Sequence, residues 1–174
     1  MCIRDRYLNN NESKKCIAIL LDVDNFKFIN DVHGHEVGDQ VLLQLATAMK
    51  KEFSKNAVIG RNGGDEFCLL IKDCNEDEAK NQIESFTMKK RTFLHKGKEY
   101  KYSISLGYVE YPTYAHKCSE LLRYADIALY EVKLRGKHGC LPYRASYRVS
   151  DSKRSQLGFK LNDISNNLPG AFFI

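Results

Sequence analysis

The apolar segments of this 174-residue chain predict an α/β (α+β) fold, with helices flanking a central, largely antiparallel sheet. Three observations lead there. Residues 16–21, Cys-Ile-Ala-Ile-Leu-Leu, form a short unbroken apolar run of the buried-strand kind. Two more apolar runs, Val58-Ile59 and residues 67–71, flank Gly63-Gly64, which is the pattern of a β-hairpin with a glycine-rich turn. Other segments repeat apolar residues at three- and four-residue spacing, as one-sided helices require.

The first strand spans residues 16–22 and runs into Asp22-Val23-Asp24. Carboxylates at the end of a buried strand either cap the next helix or hold a metal. Asp24 or Asn25 is placed to cap. Asp22 lies nearer the strand body, where a lone charge needs a partner, and a divalent cation shared with Asp65 would be one. Residues 26–32 read as a short helix stopped by Gly34. Its N-terminal amides would face the same cation and could bind phosphate, with Lys27 adding positive charge. A longer helix over residues 39–53 puts Leu42, Leu45, Met49 and Phe53 on one face. The hairpin follows, over residues 57–61 and 66–72. Asn75 with Glu78 makes a capping-box-like start for a helix that turns Ala79, Ile83 and Phe86 inward. Residues 98–111, rich in Tyr, Ile, Ser and Val, are strand-like with an interruption at Gly107. Ser119 caps a last helix with the stripe Leu122, Ala125, Leu129 and Val132, and residues 139–143 form a last short strand. This β-α-α-β-β-α-β order resembles a polymerase palm.

Composition fits one cytosolic domain with a modest extra segment. Hydrophobic residues make up 43% of the chain, enough for a core. The net charge of +5 is mild and scattered. Lys50-Lys51 and Lys89-Lys90-Arg91 read as solvated helix faces, not as a nucleic-acid surface. The six cysteines have no C-x-x-C pair. Cys16 and Cys68 fall inside apolar strands and read as buried thiols of a reducing compartment. Residues 1–6 are polar, unlike a signal peptide, and no apolar run approaches the ~20 residues of a membrane span.

The chemistry concentrates at Gly63-Gly64-Asp65-Glu66. Two glycines free the backbone for positive φ and for close approach of an anion. The adjacent acids offer hard oxygen ligands to a divalent cation. Such a turn suits a metal-bound nucleotide phosphate. Asn30 and Asp39 together offer what a guanine edge needs: a carboxylate that accepts from N1–H and the exocyclic amine, and a carboxamide that both donates and accepts. His35 reads as a structural hydrogen-bonder, with no second His or Cys at metal-ligand spacing.

Residues 22–39, followed by Arg61-Asn62-Gly63-Gly64-Asp65-Glu66-Phe67, resemble the GGDEF domain of diguanylate cyclases. Residues 124–133 with Gly136-Lys137 resemble the last helix of that family. The resemblance covers residues 7–143 and implies a palm- or nucleotidyl-cyclase-like fold in which two GTP condense to cyclic di-GMP with release of two pyrophosphates. It implies a face-to-face homodimer with one GTP per domain, and two Mg²⁺ per active site, with Mn²⁺ as an alternative. Carried over, Asp22, Asp65 and the Val23 carbonyl would ligate metal. Glu66 would be a ligand or would help deprotonate the 3′-hydroxyl. Asn30 and Asp39 would read guanine. Phe26, Lys27, Gly63 and Gly64 would line the phosphates, and Lys133 and Lys137 would reach them. Lys137 stands where the family commonly has Arg, so the bidentate fork is lost. Arg61 would support the turn.

Two departures stand out. The Arg-x-x-Asp site for product inhibition is replaced here by Ser54 and Ala57, so no inhibition through it is expected. The family's Asp-x-Leu-Thr-Gly-Leu-x-Asn-Arg segment is missing: residues 1–6 match nothing in the family, and Tyr7-Leu8 could end the helix that normally precedes the first strand. Residues 144–160 read as a linker, and residues 161–174 resemble the opening of a PAS sensor domain in a longer parent. A GTP- or cyclic-dinucleotide-binding regulatory module without turnover is the alternative function. A different nucleotide polymerase or cyclase on the same palm is the third, disfavoured by the guanine pair.

Overall fold

The first strand, β1 (Cys16–Val23), is buried along its whole length. That is possible because the strand has partners on both edges and helices on both faces. In the computed structural model, which describes residues 15–53, 56–115 and 118–147 (backbone only at 118 and 119), β1 is the middle strand of a five-stranded sheet. The expectations for residues 1–14, Ser54, the Ser119 side chain and residues 148–174 lie outside the described residues.

The elements run β1, α1 (Phe26–His33), α2 (His35–Phe53), β2 (Ala57–Gly63), β3 (Glu66–Lys72), α3 (Glu76–Met88), β4 (Arg91–His95), β5 (Lys98–Tyr102), β6 (Ile104–Tyr111), α4 (Cys118–Leu134) and β7 (Cys140–Pro142). Strand order is β2-β3-β1-β6-β7. Strands β3 and β6 flank β1 antiparallel, β2 pairs antiparallel with β3, and only the β6–β7 edge is parallel. The sheet is therefore largely antiparallel, as the sequence implies.

Side-chain alternation in β1 builds two cores. Ile17, Ile19, Leu21 and Val23 face α2 and α3, where Val41, Leu45, Met49, Ile83 and Phe86 complete the packing. Cys16, Ala18 and Leu20 face α4, where Leu121, Ala125 and Leu129 meet them. The helical stripes expected from sequence are buried in each case. Asn75 caps α3, its side chain accepting from the amides of Asp77 (3.0 Å) and Glu78 (3.4 Å).

Several expectations are corrected. Helix α2 begins at His35, four residues before Asp39. Gly34, at φ 86°, turns the chain alone, and its carbonyl accepts from Val37 and Gly38 to start the new helix. The stretch 98–111 is two strands broken at Ser103, and Gly107 continues the ladder opposite Leu20. Strand β4, unforeseen, pairs with β5 in a separate ribbon that turns at Lys96-Gly97. Arg91 is not on a solvated face. Its guanidinium is buried, donates to the carbonyls of Phe86 (2.6 Å), Lys89 (2.8 Å) and Thr87 (3.3 Å), and lies over the Phe86 ring, closing the C-terminus of α3. Cys16 is buried, its thiol pushed up to about 12 by burial, whereas Cys68 is only half-buried. No helix among the described residues is long and apolar enough to cross a membrane.

Candidate active site

One end of the sheet gathers the acids. Alternation places Asp22 on the α4 side of β1, after Ala18 and Leu20. Strand register sets Glu66 of β3 directly opposite it on one side and Ser105 of β6 on the other. Asp65 precedes Glu66 in the turn. Gly63 and Gly64 make that turn with φ of 117° and 53°, a conformation that side chains resist. Arg61 holds it closed, donating to the Gly64 carbonyl through Nε (3.0 Å) and a terminal nitrogen (2.6 Å). Its supporting role is thus visible in the contacts. Asn62 donates to Glu66 (3.3 Å), so its side chain also touches the acids.

Asp22 is buried, and the ammonium of Lys133, reaching in from α4, lies 2.7 Å from its Oδ2. Burial pushes the Asp22 carboxyl up to about 6, with Asp65 and Glu66 pushing the same way, while Lys133 pulls it down. Desolvation wins over the ion pair. Asp22 with Glu66 opposite it and Asp65 next in the turn offers hard carboxylate oxygens of the kind a divalent cation takes. Among the described residues no three His, Cys, Asp or Glu side chains gather tightly enough to hold an ion alone. This donor set fits Mg²⁺, which uses one or two carboxylates and completes its shell with water and substrate phosphate.

A second group lies on α1 and α2. The Asn30 side-chain oxygen is buried and has no hydrogen-bond partner, an acceptor of the kind a ligand N–H would satisfy. It packs against Gly38, where a Cβ would come within 1.9 Å of it and 3.3 Å of the Phe26 ring. Asp39 follows Gly38 and is exposed, as is Lys27 on α1; Phe26 is half-buried against the core. Val23 ends β1 and is buried. Lys137 is exposed beyond α4, and its ammonium meets the Asn25 side chain at 2.5 Å. Ala57 lies in β2, half-buried against the core. A groove of about 450 Å³ between α1, α2 and β5 is lined by none of the predicted site residues.

Neither Asp24 nor Asn25 caps α1 by its side chain. Asn25 occupies the cap position at φ 55° without a side-chain bond to the helix. Asp24 turns away to accept from Ser103 and Ser105 (2.6 Å each) and from the His138 amide (3.1 Å). Sequence spacing gives no sign of these partners, which lie far along the chain. The importance of Gly38 is also hidden, since a glycine in a helix names no neighbour.

The family described as "Diguanylate cyclase, GGDEF domain" matches residues 4–139. The probable diguanylate cyclase DgcE of Escherichia coli is 30% identical over 151 residues, 85% of this chain and 14% of that protein. The cyclic di-GMP phosphodiesterase PdeR of the same organism is 30% identical over 134 residues, 76% of this chain and 20% of that protein. The chain therefore spans a small part of the length of these relatives. The solved active GGEEF domain of a diguanylate cyclase from Vibrio cholerae superimposes with a TM-score of 0.72 at 28% identity, over 82% of this chain and 90% of that one.

Proposed function

This chain belongs to the GGDEF family of diguanylate cyclase domains, and from that premise we propose that it condenses two GTP to cyclic di-GMP and two pyrophosphates. The observation that carries the proposal is the acid group at the hairpin. Asp22, Asp65 and Glu66 are all present, and the register sets Asp22 and Glu66 side by side with Lys133 against Asp22.

Asp22, Asp65 and the Val23 carbonyl, with Glu66 adjacent, would hold Mg²⁺. Two such ions, when bound, supply activation of the attacking 3′-hydroxyl and charge neutralisation at the leaving pyrophosphate. The chain's own groups do the rest. Asn30 and Asp39 orient guanine, the bare backbone of Gly63-Gly64 admits the phosphates, and Phe26, Lys27, Lys133 and Lys137 line them. Positioning and charge stabilisation are what phosphoryl transfer chiefly asks of a protein. One domain offers one nucleotide site, so two copies must meet for the 3′-hydroxyl of each GTP to reach the α-phosphate of the other. The chain spans 14% of the length of DgcE and 20% of that of PdeR, and its proposed place is that of a cytoplasmic signalling domain governed by a sensor.

A second reading is a nucleotide-binding regulatory module without turnover. It draws support from Lys133 resting on Asp22 and from a relative named for phosphodiesterase activity. The deciding assay is Mg²⁺-dependent conversion of GTP to cyclic di-GMP, followed by chromatography, with Asp65→Ala and Glu66→Ala alongside. Product from the wild type alone supports the cyclase. GTP binding without product, lost on Asp39→Ala, supports the module.

A further inference from the structure

Five non-glycine residues among those described have positive φ, and three of them lie in the two segments that meet at Asp24: Asn25 (55°) follows it in the chain, and Lys137 (67°) precedes His138 (47°), whose amide donates to it. For lysine and histidine that conformation costs energy and persists only where neighbouring groups enforce it. For His138 the enforcing contacts converge on Asp24 and Ser105, and Lys137 precedes it in the same turn. Oδ1 of Asp24 accepts from Ser105 (2.6 Å), and its Oδ2 accepts from Ser103 (2.6 Å) and from the His138 amide (3.1 Å). The Ser105 hydroxyl, itself fully buried, also accepts from the His138 amide (3.2 Å). The Asp24 amide donates back to the Ser103 carbonyl (3.0 Å), and the Gly139 carbonyl is bound by the Leu106 amide (2.9 Å). Both carboxylate oxygens are thus spent on directed donors, which leaves Asp24 poorly suited to ligate a metal. The turn after α4 is fastened to this network just past Lys137, at His138 and Gly139, and to the helix itself by the Lys137 amide, which donates to the Val132 carbonyl (3.1 Å); the Lys137 ammonium is delivered over the start of α1, onto Asn25.

We propose that Asp24 is a positioning residue for nucleotide phosphates, acting through the left-handed turn that presents Lys137. The inference rests on the cyclase reading, because Lys137 is assigned to phosphate there. Asp24 ties the end of β1, which carries Asp22, to the turn that carries Lys137. The metal-side acid and the phosphate-side lysine are therefore set relative to each other by one buried carboxylate.

The test is a double-mutant cycle on binding of a Mg²⁺-bound GTP analogue with a methylene between the α- and β-phosphates, measured by calorimetry. Asp24→Asn is nearly isosteric but cannot accept from all three donors. It is expected to weaken binding about tenfold, the scale of one charge-assisted hydrogen bond, and Lys137→Ala likewise. The double variant is expected to be no weaker than the worse single variant, because both remove the same contact. If Asp24→Asn does not fold, Ser105→Ala takes its place in the cycle, since it removes one donor to Asp24 and one acceptor of the His138 amide. Wild-type binding with an unaffected Asp24→Asn, or losses that multiply in the double variant, would overturn the inference alone. A wild type that binds no analogue would overturn the cyclase reading and this inference with it.

Discussion

Gly107→Ala is the substitution whose outcome the packing decides most clearly. An added Cβ would stand 2.1 Å from the Leu129 amide nitrogen and 2.2 Å from the Ala125 carbonyl oxygen, about 1.3 Å short of ordinary contact at 3.4 Å. Both obstacles are backbone atoms of α4, so no side chain can swing aside. The helix must shift, or β6 must leave the ladder in which Gly107 faces Leu20. Overfilling a packed core costs about 1–3 kcal/mol, and the rigid backbone puts this case at the upper end. The alanine restores about 0.5–1 kcal/mol of strand preference. The net loss is about 2 kcal/mol, read as a drop of about 1 M in the urea midpoint. Gly60→Ala is the control, since its Cβ would meet only the Cys68 sulfur, at 3.2 Å, and that side chain can turn. It should stay within about 0.5 kcal/mol of the wild type. A Gly107→Ala protein with a wild-type midpoint, or a Gly60→Ala protein that falls equally far, would refute the reasoning. Lys133 lies one turn beyond Leu129, so a displaced helix should also weaken GTP binding.

Four other expectations are open to direct measurement. Arg91→Ala and Arg91→Lys should each lose about 2 kcal/mol of urea stability, because a lysine cannot span the three carbonyls the guanidinium holds; full retention by the lysine variant would show that the fork is dispensable. Gly38→Ala, which must displace the Asn30 carboxamide, should keep the wild-type unfolding midpoint while its calorimetric Kd for GTP rises about tenfold; unchanged affinity would count against Asn30 as a guanine contact. Turnover per mole of enzyme should rise with enzyme concentration in the dilute range, and a flat profile from a monomer would contradict the two-domain reaction. Added cyclic di-GMP at low micromolar concentration should leave the rate unchanged, given Ser54 and Ala57 where an arginine and an aspartate would be needed.

Elements whose logic is local can be read from the chain. The hairpin at Gly63-Gly64, the Asn75 cap and the buried stripes of α2, α3 and α4 each follow from a period or a turn residue within a few positions. What escapes is whatever depends on a distant neighbour. Gly107 looks like a strand-breaker because its role is to admit α4. Arg91 looks like part of a solvated run because the carbonyls it serves belong to the end of the preceding helix. Asp24 looks like a helix cap because the alternative acceptor role needs Ser103, Ser105 and His138, all more than seventy residues away. At the candidate site the family resemblance names the acids. That Lys133 falls on Asp22 is decided by which face of β1 looks at α4.

That face explains why packing and chemistry meet at one end of the molecule. Along β1 the α4-facing positions run Cys16, Ala18, Leu20 and Asp22, with Asp24 just past the strand end. The apolar members anchor α4 through Ala125 and Leu129. The helix can come that close only because Gly107, opposite Leu20, has no side chain. Once anchored, α4 carries Lys133 onto the first acid, and the turn beyond it, bound to the second, carries Lys137 out over α1. A slip of one residue in the β1 register would send Leu21 and Val23 to the lysines and bury both acids against α2 and α3. The hydrophobic pattern that holds the sheet therefore also fixes the arrangement of charge, and errors in the one should appear as losses in the other.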